Sequence, residues 1–201
     1  ADPQVLVSSD NRIARVWQNV NLEIAPAVAE SALMGAVTEA DRQMMVSKGY
    51  SVFVQATMTR AAETKTLRLG FTAATKYEQC SSLVAGAKTP GLTVPKDALG
   101  TVAIGFTGNV LFLDNLVTRG NALRGNPIAD ADANKDGTVD NDELADVDLD
   151  DEFRTASQGY YEALPGVEDL YAYMNEQARS VVSTYRDETG SCVTSPVTET
   201  P

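Results

Sequence analysis

Hydrophobic and polar positions alternate through much of the first 114 residues, and this period of two is typical of half-buried β-strands. The clearest run, 50–58, places one set of side chains on a single face: Tyr50, Val52, Val54, Ala56 and Met58. A polar turn at 62–65 leads from this run to a second one, 66–72. The two runs are therefore predicted to pair as an antiparallel hairpin.

Other strand signals surround this hairpin. Alternation within 15–24 predicts a further strand, and 101–107 and 110–113 are predicted to form a second hairpin across Gly108-Asn109, because both residues tolerate positive φ. The stretch 81–97 contains two glycines and two prolines, and is predicted to be a long loop.

Two helices are predicted. The run Thr38-Glu39-Ala40-Asp41 resembles a capping box, which predicts a short helix ending near Gly49. Near the C-terminus, apolar side chains recur at helical spacing: Leu170, Tyr173, Met174, Ala178, Val181, Val182 and Tyr185. We expect an amphipathic helix over about 167–185 whose apolar stripe faces the core.

The charge balance limits the classes of partner. Asp and Glu outnumber Lys and Arg by 28 to 16, and the net charge is −12. Nucleic-acid phosphates and anionic membrane surfaces would be repelled, so we expect neither as a partner. Cations are the natural partners, although an acidic surface also serves solubility.

The sequence lacks other signals of location. No apolar stretch reaches the length of a transmembrane helix, and we expect no transmembrane segment. A signal-peptide pattern is absent too, and Ala1-Asp2-Pro3 is either a mature end left after cleavage or an expression remnant.

The chain contains no histidine. This excludes Ser-His-Asp and Cys-His nucleophile systems, and sites in which histidine binds zinc, copper or haem. Neither a GxSxG elbow nor a phosphate-binding glycine loop is present, so we predict that the protein is not an enzyme.

Cys80 and Cys192 are the only cysteines, and 112 positions separate them. One disulfide is the simplest interpretation, and two unrelated buried thiols are the alternative. Because Cys192 follows soon after the C-terminal helix, a disulfide to Cys80 would clamp that helix onto the end of the β hairpin. It would also favour a secreted, periplasmic or cell-surface location.

The strongest chemical signal is the segment 132–143, Asp-Ala-Asn-Lys-Asp-Gly-Thr-Val-Asp-Asn-Asp-Glu. Each constrained position of the pattern D-x-[DN]-x-[DN]-G-x₅-E is filled, and the segment resembles the calcium loop of an EF-hand. The resemblance implies one Ca²⁺ bound by six residues: Asp132, Asn134, Asp136, Thr138 through its carbonyl, Asp140 and Glu143. It also implies a sharp turn at Gly137 and an inward-facing Val139.

The flanks of this loop depart from an EF-hand. The entering segment 127–131 is too short for a full first helix, and the acidic run 146–151 imitates only the start of a second loop. We interpret that run as a solvated loop, with a second ion site as the alternative. A lone loop argues against a calmodulin-type sensor and for a structural site of weak affinity, roughly 10⁻⁵ to 10⁻³ M.

A second resemblance covers 70–192. The runs GFTAATKYEQC, VLFLDNL and LRGNPIADADANKDGTVDNDELADVDL are similar to uncharacterised secreted or lipid-anchored bacterial proteins, which are distantly similar to the methanobactin-associated periplasmic copper protein. Those relatives often carry histidine near the segment that matches 104–111 here, and this chain has none. The resemblance therefore implies an architecture and a calcium loop, without a copper role.

Together these features predict an α+β fold: an antiparallel β-sandwich-like core, an EF-hand-type calcium loop and a C-terminal amphipathic helix. We expect one secreted domain over 1–194, β-rich over 1–114, with a flexible tail over 195–201. The predicted function is an extracellular or periplasmic calcium-binding protein, serving as a structural or interaction module.

Two other functions are considered. The first is a calcium-stabilised subunit of an extracellular filament or surface assembly, to which the extended segment 4–9 would add a strand; an edge strand of its own domain is the simpler interpretation of that segment. The second is a hydrolase that uses a pair of carboxylates.

Overall fold

A computed structural model describes residues 4–8, 15–17, 22–29, 38–84, 86–94, 99–106, 108–114, 125–149, 164–180, 182–186 and 190–197. Helices occur together with antiparallel strand pairs and one parallel pair, which confirms the α+β class. The chain divides into two compact units. The first comprises 1–25, 74–108 and 179–201, and the second comprises 26–73 and 109–178.

Twelve strands are described, numbered in chain order: β1 Gln4–Ser8, β2 Arg15–Trp17, β3 Leu22–Ile24, β4 Val52–Arg60, β5 Glu63–Phe71, β6 Thr75–Val84, β7 Ala87–Pro90, β8 Leu92–Val94, β9 Leu99–Phe106, β10 Thr138–Val139, β11 Val182–Arg186 and β12 Ser191–Pro196. The described helices are α1 Glu39–Lys48, α2 Asn126–Asp130, α3 Asn141–Ala145 and α4 Leu170–Ala178, with a 3₁₀ helix at Gly108–Phe112.

The predicted hairpin of the second unit is confirmed. Strands β4 and β5 pair antiparallel over nine positions, from Val52 opposite Phe71 to Arg60 opposite Glu63. The turn is tighter than the predicted 62–65, because Ala61 adopts a positive φ of 54°. Alternate side chains of β5 are buried in the core, where Leu69 and Phe71 are fully enclosed.

The helix predicted from the capping box is confirmed as α1. The Thr38 hydroxyl accepts the N–H of Asp41 at 3.2 Å, while the Asp41 carboxylate accepts the N–H of Thr38 at 3.0 Å. This reciprocal pair satisfies N–H groups that have no partner within the helix. The helix ends at Gly49, whose φ of +68° closes the last turn.

The described residues of the first unit form three sheets. Their strand orders are β1-β9-β11, β12-β6-β3 with β7 also on β6, and β2-β8. Strand β1 lies at the edge of its own chain's sheet and pairs antiparallel with β9, which agrees with the simpler interpretation of segment 4–9. The sandwich-like packing of strands and the single domain over 1–194 stay predictions.

Two predictions for the segment 81–113 are wrong. The stretch 81–97 is not a loop throughout, because β6 continues to Val84 and β7 and β8 follow. Its glycines close tight turns instead, since Gly86 and Gly91 have φ of +80° and +64°. The second predicted hairpin is also wrong: β9 is followed by the 3₁₀ helix, whose run of consecutive apolar residues carries no strand period.

The predicted disulfide between Cys80 and Cys192 is confirmed, with Cα atoms 4.0 Å apart. It joins two paired strands of one sheet, because Cys80 lies in β6 and Cys192 lies in β12. The expectation that it would clamp a helix to the β4–β5 hairpin is therefore wrong. Strand β12 extends to Pro196, beyond the start of the predicted tail at Ser195.

The predicted C-terminal helix is shorter than its apolar stripe indicates. Helix α4 covers Leu170–Ala178, and it buries Tyr173 and Met174. Residues Val182–Arg186 form strand β11 instead. Valine and threonine are branched at Cβ and favour extended backbone, which explains the change. Within the described ranges, no helix has the length and apolar character required to cross a bilayer.

Candidate metal site

The segment 132–143 lies in the second unit, between two five-residue helices. Helix α2 precedes it and α3 begins within it. Helix α2, with five residues, is too short for the full first helix of an EF-hand, as the sequence predicts. The apolar side chains of Ile128, Val139 and Leu144 are at most 1% exposed, so the segment is anchored in the core. This anchoring confirms that Val139 points inward.

The first half of the loop is coiled around its own side-chain oxygens. Asp132 Oδ1 accepts the N–H of Asp136 at 3.1 Å, and its Oδ2 accepts the N–H of Gly137 at 3.1 Å. Asn134 Oδ1 accepts the same Asp136 N–H at 2.8 Å, and Asp136 Oδ1 accepts the N–H of Thr138 at 2.7 Å. Each acid or amide at an early alternating position therefore shapes the turn.

The sharp turn expected at Gly137 is present, with φ of +83°. No atom lies within 4 Å of the place where a Cβ would stand, so conformation and not space favours glycine here. Lys135, two residues earlier, also has a positive φ of 60°.

The second half of the loop is a helix start. Asp140 caps α3, because its Oδ1 accepts the N–H groups of Asp142 at 3.0 Å and Glu143 at 3.1 Å. Glu143 reaches back through Oε2 to the N–H of Asp140, at a long 3.3 Å. Its other oxygen, Oε1, is buried and has no hydrogen-bond partner among the described residues. A buried acceptor without a partner costs free energy, so Oε1 is suited to receive a cation.

The Lys65 side chain of the β4–β5 hairpin reaches the loop at its first ligand position. The Lys65 ammonium lies 2.5 Å from Asp132 Oδ2 and 3.0 Å from Glu63 Oε1. The hydrogen bond from Lys65 is the main cause that lowers the pKa of the Asp132 carboxyl, and it outweighs burial, which raises that pKa. Asp132 and Glu63 in turn raise the pKa of Lys65. The ammonium is bound to Oδ2, so Oδ1 remains the oxygen of Asp132 that faces only a backbone N–H.

A strand of the hairpin holds the middle of the loop. Strand β10, which contains Thr138 and Val139, pairs parallel with β5 at Thr66 and Leu67. The N–H of Thr66 donates to the Gly137 carbonyl at 2.8 Å. Thr138 therefore lies in a strand, at the position whose carbonyl the resemblance assigns to the ion.

Asn141, at the tenth loop position, makes a contact that the sequence does not predict. Its Nδ2 donates to the Gly70 carbonyl at 2.8 Å and to the Tyr50 hydroxyl at 2.7 Å, and its Oδ1 accepts the Gly70 N–H at 3.0 Å. We call this set of three hydrogen bonds the Asn141 clasp. Only the three-dimensional fold brings these residues together, because 71 positions separate Asn141 from Gly70.

The donor set suits a hard cation, since carboxylate, amide and carbonyl oxygens are the ligands that Ca²⁺ takes. The side chains of Asp132, Asp136, Asp140 and Glu143 do not converge on one point, however. Within the described residues, no group of three or more Asp, Glu or Cys side chains is close enough to hold a metal ion. The structure thus forms the turns of the loop and the N-terminal cap of α3, and each of these carboxylates accepts a hydrogen bond from a backbone N–H.

The described part of the acidic run, 146–149, packs beside the start of α4. Asp148 forms a β-bridge with Asp169, and the N–H of Leu149 donates to the Glu168 carbonyl at 2.7 Å. Leu149 is 2% exposed and packs inward, while Asp146 and Asp148 are exposed, as expected for solvated acids. Residues 150 and 151 lie outside the described residues.

Comparison with protein-family models, with curated proteins and with solved structures finds no match to this chain. The resemblances to an EF-hand loop and to the relatives of the methanobactin-associated protein therefore stay predictions from the sequence.

Proposed function

We propose that this chain binds one Ca²⁺ in the loop 132–143, and that the ion has a structural role outside the reducing cytoplasm. The observation that carries the proposal is the buried Oε1 of Glu143, which has no hydrogen-bond partner among the described residues. It belongs to the residue that closes the ion's shell in the EF-hand pattern.

Electrostatics supports a cation at this loop. Four carboxylates stand within twelve residues at Asp132, Asp136, Asp140 and Glu143, and Lys65 forms an ion pair with the first of them. Like charges held close together repel, and a divalent cation converts that repulsion into attraction. The capping bond from Asp140 N–H to Glu143 is long, at 3.3 Å, so little is lost if Glu143 turns towards an ion.

The loop's position in the fold supports a structural role. The segment follows α2, contains β10 and includes the start of α3. An ion bound to both halves of the loop would hold these three elements in one arrangement. Short flanking helices provide no long element to swing open, which argues against a calmodulin-type sensor. The disulfide supports a secreted, periplasmic or cell-surface location. If the chain serves as an interaction module, its partner would be another protein or a second copy of the chain.

Isothermal titration with Ca²⁺ tests the proposal. Protein dialysed against chelator is expected to bind one ion per chain, with a dissociation constant of roughly 10⁻⁵ to 10⁻³ M. Glu143→Gln removes one carboxylate charge and is expected to weaken binding at least tenfold, because bidentate closure is lost.

Asp142→Asn is the matched control. It removes one carboxylate from the same loop, at an exposed position to which the pattern assigns no ligand. Binding should change little in this variant. Equal weakening by both substitutions would point to diffuse attraction by an acidic surface, and absence of heat in the wild type would refute the proposal.

A further inference from the structure

A lone EF-hand loop lacks the second loop that normally pairs with it, yet this loop has a partner strand. Strand β10 pairs with β5 at Thr66 and Leu67, and the Thr66 N–H holds the Gly137 carbonyl at 2.8 Å. The hairpin β4–β5 thus supplies a paired strand to the loop.

The Asn141 clasp extends this attachment along the same strand. The Asn141 amide satisfies both the N–H and the carbonyl of Gly70, at 3.0 and 2.8 Å, as a neighbouring strand would. The Tyr50 hydroxyl accepts a third hydrogen bond from Asn141 Nδ2 at 2.7 Å, and the Tyr50 ring covers Gly70 so closely that a Cβ there would lie 2.1 Å from the ring. The amide is therefore held from two sides.

Asn141 is the first residue of α3, and two residues later the same helix carries Glu143. A clasp that fixes the first residue of so short a helix also fixes the direction from which the closing carboxylate approaches. Without it, the loop would sample arrangements in which Glu143 cannot reach an ion, and the apparent dissociation constant rises as the competent fraction falls.

We propose that the Asn141 clasp positions Glu143 and so sets the calcium affinity of the loop, with Asn141 acting as a positioning residue that does not bind the ion. This inference rests on the proposed function. Residues that orient metal ligands typically change affinity by about 10–100-fold when substituted.

The test compares calcium titrations of the whole chain and its variants at a temperature where circular dichroism shows all of them folded. Asn141→Ala removes the clasp, and its dissociation constant is expected to rise about tenfold or more. Tyr50→Phe removes only the third hydrogen bond, and should give a smaller rise; it also serves if Asn141→Ala does not fold.

Tyr171→Phe is the control for a general loss of stability. The Tyr171 hydroxyl donates to the same Gly70 carbonyl at 3.1 Å, but Tyr171 belongs to α4 and not to the loop 132–143. This variant should unfold more easily and bind calcium with unchanged affinity. Wild-type affinity in both Asn141→Ala and Tyr50→Phe, with calcium still bound, would overturn the clasp alone. No binding by the wild type would overturn the proposed function itself, and this inference with it.

Discussion

Gly70 is the position where one added carbon atom should disturb the candidate site most directly. A Cβ built on Gly70 would lie 2.1, 2.2 and 2.6 Å from Cε2, Cδ2 and Cζ of the Tyr50 ring. Contacts this short cannot exist, so Gly70→Ala must displace the ring and with it the hydroxyl that accepts from Asn141. The backbone itself would accept alanine, because Gly70 is not among the glycines with positive φ.

Gly70→Ala has two effects of opposite sign on the unfolding free energy. Overpacking against the ring is expected to cost about 1–3 kcal/mol of unfolding free energy. Replacing glycine by alanine in an ordinary strand conformation should return about 0.5–1 kcal/mol. We therefore expect Gly70→Ala to destabilise the protein by about 1–2 kcal/mol, measured as the shift in urea midpoint at constant slope.

A double-mutant cycle with Tyr50→Ala isolates the cause. Once the ring is absent, Gly70→Ala should be neutral or slightly stabilising, which gives a coupling of about 1–3 kcal/mol between the two positions. Gly108→Ala is the matched control, since no atom lies within 4 Å of a Cβ at that glycine. An equal cost of Gly70→Ala with and without the Tyr50 ring would refute the reasoning.

Three further predictions concern the loop and the disulfide. Lys65→Met leaves Asp132 without its cation, so the variant should melt at a lower temperature in chelator and gain more from calcium than the wild type; an equal gain would contradict the role of Lys65 in neutralising Asp132. Gly137→Ala should destabilise the chain by about 1–2 kcal/mol through its positive φ, and Gly137→Asn by less, as measured by urea unfolding. Replacing both Cys80 and Cys192 by serine should lower the unfolding free energy by about 4–5 kcal/mol, since the bridge closes a loop of 112 positions, and thiol labelling of the unreduced wild type should find no free thiol.

The sequence predicts those elements whose signals are local. The β4–β5 hairpin follows from its period of two, and α1 follows from Thr38, Asp41 and Gly49, whose roles are fixed by neighbours a few residues away. Within the loop, the turn at Gly137 and the burial of Val139 are local features of the same kind.

Elements that depend on distant pairing are missed. Glycines at 86 and 91 indicate turns correctly, but the composition around them favours a loop. Strand β7, which lies between them, pairs with β6, and β8, which follows, pairs with the distant β2. The apolar stripe of α4 continues past its end, and β11 forms where pairing with β9 is available. The Asn141 clasp has no sequence signal, because its partners lie in another part of the chain.

The side chains of the candidate site show the same division. The pattern predicts which residues carry oxygen ligands, and the backbone turns at those residues agree with it. Their final directions depend on interactions across the fold, such as the ion pair between Lys65 and Asp132, and on the cation itself. The spacing of residues along the chain gives no information about these interactions or about the position of the cation.

Scanning calorimetry with and without calcium tests the central claim most directly. Binding to the folded state alone stabilises it by RT ln(1 + [Ca²⁺]/Kd), which is about 2.7 kcal/mol at one hundred times Kd. For a chain of this size that free energy corresponds to a rise in melting temperature of roughly 5–10 °C. The account predicts such a rise in the wild type, growing with the logarithm of calcium concentration, and a much smaller one in Glu143→Gln. The same wild-type melting temperature in chelator and in millimolar calcium would contradict it.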